Sequence, residues 1–214
     1  MASIFITIRR SCLIMGLFII FGMQTAQSES GFMDFGARAN VELGDGEPAN
    51  DMLGFGFYTH YQFNNGVLLG FAVDSMGYDF EGPAKIVGIT QDTSLNTIDA
   101  ASQATNITAW YEQRRNSWYW RAGLGVGLVD VDDQGGPVEG GGTFNITTDP
   151  GTEYLLLGGG GYRYKFSQNW TLDGYAGIIH HFADWKVKDT VSGNTGTVSD
   201  YTDWSFQIGV DYSF

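Results

Sequence analysis

A single cysteine, Cys12, occurs in the 214 residues, so no intramolecular disulfide can form and no cluster of thiolates can hold a metal. It stands ahead of an apolar run, where a lipid-attachment cysteine would not be. Basic residues are scarce: 11 Lys and Arg face 24 Asp and Glu, a formal charge of −13. Phosphate backbones repel such a chain, which excludes nucleic acid as a natural partner. Past the first thirty residues there is no run of about 18 apolar residues, so no segment there can cross a bilayer as a helix.

The first 28 residues read as a separate unit. Arg9 and Arg10 precede an apolar run from Leu13 to Met23, and Ala26-Gln27-Ser28 supplies small residues at its exit. That is the pattern of a secretory leader, and the run is too short to span. The expected organisation is a cleaved signal peptide over residues 1–28 and one domain over residues 29–214. Cleavage there takes the 11 basic residues to 9 and leaves all 24 acidic ones, a balance of −15. An exported chain without a membrane helix is either a water-soluble β-protein or a closed barrel, the one non-helical structure that can sit in a bilayer.

Strand patterning separates the two. Trp204, Phe206, Ile208, Val210, Tyr212 and Phe214 alternate with Asp203, Ser205, Gln207, Gly209, Asp211 and Ser213, which makes a strand with one apolar and one polar face. Similar segments recur at 33–43, 53–63, 67–78, 105–114, 118–130, 154–166 and 170–185, so that with 201–214 the expected strand count is eight. Asn64-Asn65-Gly66, Arg115-Asn116-Ser117 and Ser167-Gln168-Asn169 are tight turns, whereas the other four connections are longer and polar. Short turns on one side and long loops on the other are the layout of an up-and-down outer-membrane barrel, with the short turns in the periplasm.

The outward phase gives an independent test. Phe35, Tyr61, Phe63, Tyr111, Trp118, Trp120, Tyr164, Phe166, Trp170, Tyr212 and Phe214 all fall near the short-turn ends, as an interfacial aromatic girdle requires. Between the ends, the same phase holds Val67, Leu69, Phe71, Ala122, Leu124, Val126, Leu172, Ala176, Ile178, Ile208 and Val210, without a charge. A Lys or Arg at the bilayer midplane would cost about 2–4 kcal/mol. The expected fold is therefore all-β, an eight-stranded antiparallel up-and-down transmembrane β-barrel. It would lie in the outer membrane of a Gram-negative bacterium, against its lipid and lipopolysaccharide.

With this alternation, the girdle and Phe214, the chain resembles the small eight-stranded outer-membrane family that includes the transmembrane domain of outer membrane protein A, outer membrane protein X and the opacity adhesins. Gly161-Tyr162-Arg163-Tyr164-Lys165-Phe166 followed by Asn169-Trp170-Thr171-Leu172 is similar to a strand–turn–strand of that family. The resemblance covers about residues 31–214 and implies architecture, since such motifs serve folding and insertion. A last strand ending in Phe is similar to the signal read by the barrel insertion machinery, which is thereby an implied partner.

The opposite phase collects Asp34, Arg38, Asn40, Glu42, His60, Gln62, Asp74, Glu112, Arg114, Arg121, Arg163, Lys165, Asp173, His181, Gln207 and Asp211. Charges of both signs inside a narrow barrel have to pair, because an unpaired one keeps its desolvation cost. The expected lattice joins Arg38, Arg121, Arg163 and Lys165 to Glu42, Glu112, Asp173 and Asp211. Eight strands enclose little more than these side chains, so the lumen is expected to be plugged. The alternative is a narrow channel for ions or small solutes.

Chemistry is a second alternative. Asp74-Ser75 is similar to the Asp-Ser pair of lipid A palmitoyltransferase, another eight-stranded barrel. That family also carries a His at the outer end of its first strand, and Gly31 to Asp51 contain none. The lipid A deacylase pattern needs a Ser two positions after its His, whereas Phe182 and Ala183 follow His180 and His181. A lipid A-modifying enzyme would rest on Asp74, Ser75 and His181. Asp130 to Gly135 imitates the start of a calcium loop, but Gly141 stands at the twelfth position where a bidentate Glu belongs. Adjacent strand residues such as His180 and His181 point to opposite faces and do not share an ion easily. No catalytic residue, metal or cofactor is expected. The long loops hold Asp45, Glu47, Asp51, Asp79, Glu81, Asp92, Asp99, Asp132, Asp133, Glu139 and Asp149 against Lys85. The functional expectation is a non-enzymatic barrel with a closed, salt-bridged lumen and acidic loops, in a structural or surface-interaction role toward a ligand the loops do not specify.

Overall fold

Alternation along the chain becomes an outside and an inside in the computed structural model, which describes residues 32–44, 51–63, 67–82, 98–137, 143–148, 151–183, 185–191, 193, 195–198 and 200–214. The expected leader, residues 1–28, lies outside the described residues, as do Asn64-Asn65-Gly66, Asp45, Glu47, Lys85, Asp92, Glu139 and Asp149. Twelve strands form among the described residues: β1 Phe32–Gly44, β2 Met52–Gln62, β3 Leu68–Gly82, β4 Ile98–Arg115, β5 Trp118–Val131, β6 Gln134–Pro137, β7 Thr143–Thr148, β8 Thr152–Lys165, β9 Trp170–Phe182, β10 Trp185–Asp189, β11 Thr195–Val198 and β12 Tyr201–Ser213.

Eight of them close into an antiparallel barrel in the order β1-β12-β9-β8-β5-β4-β3-β2. The seam is β1 on β12, in register from Asp34 opposite Ser213 to Gly44 opposite Asp203, so neither terminal strand keeps a free edge. At the short-turn end, Asn116 takes a left-handed backbone with φ of 58°, a conformation Asn tolerates. The Asn169 amide donates to the carbonyl of Ser213 at 2.7 Å, tying the last turn to the seam.

Barrel strands run from 11 residues in β2 to 18 in β4, longer than the roughly 9–11 needed to span a bilayer. The excess lies toward the long loops. There β3 and β4 extend the expected 67–78 and 105–114 by pairing Tyr78 through Gly82 with Ser102 through Ile98. Asp99, Ala100, Ala101 and Ser102 show no apolar alternation in the sequence, and the backbone ladder to β3 continues through them. The expected segment 170–185 divides in two. β9 stops at Phe182, and the Ala183 N–H leaves the ladder for the Asp200 carboxylate at 3.0 Å.

A second sheet, not expected from the sequence, is built from the two long connections after β5 and β9 in the order β11-β10-β7-β6. β10 and β7 join them, with Val187 opposite Thr148 and Asp189 opposite Ile146. Buried Asp189 accepts from the backbone N–H groups of Asn145 and Val191, each at 3.1 Å. Asp130 to Gly135, which imitates a calcium loop, runs instead from the end of β5 into β6.

Leu124, Ile208 and Trp118 are 67, 59 and 66% exposed on the outer wall. Edge-to-face aromatic pairs gather at its short-turn end: Trp118 with Tyr162 and Trp170 with Tyr212, both at 5.0 Å, and Phe35 with Phe214 at 5.9 Å. So wide an apolar surface, ringed by Trp and Tyr on a barrel with no open edge, fits lipid and not water.

Candidate functional site: the barrel lumen

The lumen is filled in three layers. Nearest the short turns, Arg163 donates to Asp211 and, at 3.2 Å, to Asp34, and its Nε lies 3.6 Å from Asp173. Asp34 also accepts from the Ser213 hydroxyl at 2.7 Å, and Asp211 from the Tyr58 hydroxyl. Arg114 donates to Glu112 at 2.6 Å, and the imidazole of His60 lies 3.3 Å from the same carboxylate. Tyr119 donates to Asp173 at 2.6 Å.

The middle layer is cationic and aromatic. Arg38 holds Asp74 through two bonds, Nε to Oδ1 at 2.9 Å and the terminal nitrogen to Oδ2 at 2.5 Å. Asn40 donates to Asp74 at 2.6 Å. Arg121 donates to Gln207 and sits over the Tyr175 ring at 3.5 Å from its centroid, with Trp110 on another side at 4.9 Å. The Trp110 ring, 3% exposed, is seated where Gly70 carries no side chain; a Cβ there would strike it. The space left between Arg38, Asp74, Trp110, Arg121, Tyr175 and Gln207 is a cavity of about 20 Å³, on the order of one water. A broader hollow of about 600 Å³ opens in the wall itself, where Gly160, Gly174 and Ala176 leave it thin between Trp118, Tyr162, Phe206 and Ile208.

The outer layer, nearest the long loops, holds Glu42, Glu153, His181 and Asp203, all 1–3% exposed. His181 Nδ1 pairs with Glu153 at 2.9 Å, and the Tyr201 ring stacks flat on the imidazole at 4.3 Å.

Several partners differ from the expected lattice. Arg38 takes Asp74, an acid outside the expected lattice, and Glu42 faces His181. Arg121 meets an amide and two rings, although Glu112 is its neighbour across the ladder. Lys165 and Gln62 are exposed at strand ends, because the ladder runs out there and a long polar side chain reaches water. Glu153 and Asp203 are buried acids outside the expected lumen set, and Tyr58, Trp110, Tyr119 and Tyr175 are buried lumen fillers outside it. Period two would have found the aromatics, each being two positions from a polar lumen residue: His60, Glu112, Arg121 and Asp173.

The three residues watched for chemistry do not converge. Asp74 is buried against Arg38, whereas Ser75, next along the strand, belongs to the outer wall opposite Phe55 and Thr105. His181 belongs to the outer acidic layer. His180 faces outward, bonded to the Thr202 hydroxyl at 2.7 Å, so the adjacent histidines do lie on opposite faces.

No family model and no curated protein matches this sequence. Among solved structures it is similar to a major outer membrane protein from Thermus thermophilus, with 14% identity and a TM-score of 0.52 over 85% of this chain and 99% of that one. It is also similar to the outer membrane protein OprG from Pseudomonas aeruginosa, with 15% identity and a TM-score of 0.51 over 86 and 95%. The chain has the fold of the small eight-stranded outer-membrane barrels, and its girdled apolar wall fits a bilayer.

Proposed function

We propose that the protein is a non-enzymatic outer-membrane barrel whose lumen is closed by its own side chains and whose long loops present an acidic surface, in a structural or surface-interaction role. The observation that carries this reading is the middle layer. Arg38–Asp74, Arg121 on Tyr175, and Trp110 leave only about 20 Å³ between them, too little for a hydrated ion. The separation of Ser75 from Asp74 and His181 supports the absence of lipid A chemistry, because a hydroxyl nucleophile needs a base within hydrogen-bond reach. Lipopolysaccharide around the wall and a soluble or cell-surface ligand on the loops are the proposed partners, with the insertion machinery acting through the strand that ends at Phe214.

Two measurements test the reading. Potassium efflux from liposomes containing the purified protein should match that of empty liposomes, and lipid A from cells with and without the protein should have the same mass spectrum. Rapid efflux would favour the channel, and a mass change equal to an added or lost acyl chain would favour the enzyme. Residues 1–28 are proposed as a leader; intact mass of protein from outer membranes should place the N-terminus at Glu29, and a full-length mass would contradict that.

A further inference from the structure

In the outer layer, Glu42, Glu153 and Asp203 surround one imidazole, His181, and all four are buried. The lumen arginines are engaged deeper in, Arg38 by Asp74 and Arg163 by Asp211 and Asp34. Buried carboxylates without an adjacent cation are costly. Moreover, three atoms of this layer are buried with no hydrogen-bond partner: Oε2 of Glu42, Oδ2 of Asp203 and Nε2 of His181.

Those three atoms face one another. His181 Nε2 is 3.7 Å from Glu42 Oε2 and 3.6 Å from Asp203 Oδ2, and all three lie within 4.8 Å of each other. Ligand atoms about 2.0–2.2 Å from a tetrahedral ion stand roughly 3.3–3.6 Å apart; the two sides at His181 match that spacing to within a few tenths of an ångström, and the carboxylate–carboxylate side has to close from no more than 4.8 Å. The other ring nitrogen of His181 pairs with Glu153, and Tyr201 both stacks on the ring and donates to Glu153 at 3.2 Å. A carboxylate behind a ligating imidazole fixes its tautomer and raises its basicity, leaving Nε2 as the free lone pair.

We infer that Glu42, Asp203 and His181 form a binding site for one divalent transition-metal ion at the outer mouth of the barrel, with Glu153 and Tyr201 orienting the imidazole. One nitrogen and two carboxylate ligands suit a zinc-like ion, whereas calcium takes six to eight oxygens. Asp51, immediately before β2, adds an acidic group near Asp203, and an acidic mouth raises the local concentration of cations. A second acid–histidine group, Asp34, His60 and Asp211, lacks this character: both its carboxylates are held by Arg163, with Ser213 and Tyr58 donating as well.

The test uses full-length protein purified from outer membranes in detergent, stripped with a chelator, exchanged into zinc, dialysed and assayed for metal. One zinc per chain is expected to remain. Glu42→Gln and Asp203→Asn should each abolish retention, and Glu153→Gln should weaken affinity by about 10–100-fold. Heat-modifiable gel mobility establishes that each variant is a barrel. Cobalt in the unmodified protein supplies a readout independent of the variants: intense visible bands of a low-coordinate site with a nitrogen ligand are expected. No retained zinc, retention unchanged in Glu42→Gln and Asp203→Asn, or a weak octahedral cobalt spectrum would overturn the inference.

Discussion

Arg38 and Asp74 meet across a strand that lies between them. Arg38 on β1 is opposite Gly56 on β2, and Gly56 is opposite Asp74 on β3, so the two charges reach over a residue with no side chain. A Cβ at Gly56 would fall on the Asp74 carboxylate. The bidentate pair therefore depends on the glycine as much as on its own two members. Arg38→Ala should cost about 3–5 kcal/mol in urea unfolding of the lipid-refolded barrel, because it leaves Asp74 buried beside Asn40 alone. Arg38→Met combined with Asp74→Leu should recover most of that loss, and a double variant as unstable as the single one would contradict the account.

On the outer wall, Leu124→Arg should destabilise the barrel by about 2–4 kcal/mol in lipid, with Leu124→Val close to neutral. Equal stability of the two would mean that this face does not meet hydrocarbon.

Trp110→Ala should cost about 3–5 kcal/mol, since the ring packs on Gly70, Tyr58 and Ala72, and a glycine has no side chain to fill its place. Unfolding in urea reads the loss. A change below about 1 kcal/mol would show that the middle layer is loosely filled.

Phe214 packs edge-on to Phe35 and Tyr212 where the seam closes. Deleting it should lower the amount of protein in outer membranes and raise periplasmic degradation, both read by immunoblot of cell fractions. Unchanged assembly would remove the proposed role of this residue in insertion.

Period-two alternation made the barrel legible because lipid and lumen impose opposite demands on successive residues. It made Asp34, Arg38, Glu112, Arg163 and Asp211 legible as inward-facing for the same reason. Where that demand ends, legibility ends: β4 begins at Ile98, through Asp99, Ala100, Ala101 and Ser102 with no apolar phase, and the strands of the second sheet, β6, β7, β10 and β11, are only four to six residues long. Partner choice inside was also hidden. The reach of Arg38 to Asp74 depends on the stagger between three strands, and the meeting of Glu42, His181 and Asp203 depends on strand ends converging on one mouth.

Planar-bilayer recording of the purified protein tests the closed lumen most directly. The unmodified barrel should give conductance indistinguishable from background, and Arg121→Ala, which removes the guanidinium seated on Tyr175, should give intermittent openings. Well-resolved, long-lived channels in the unmodified protein would contradict the plug and make this barrel a pore.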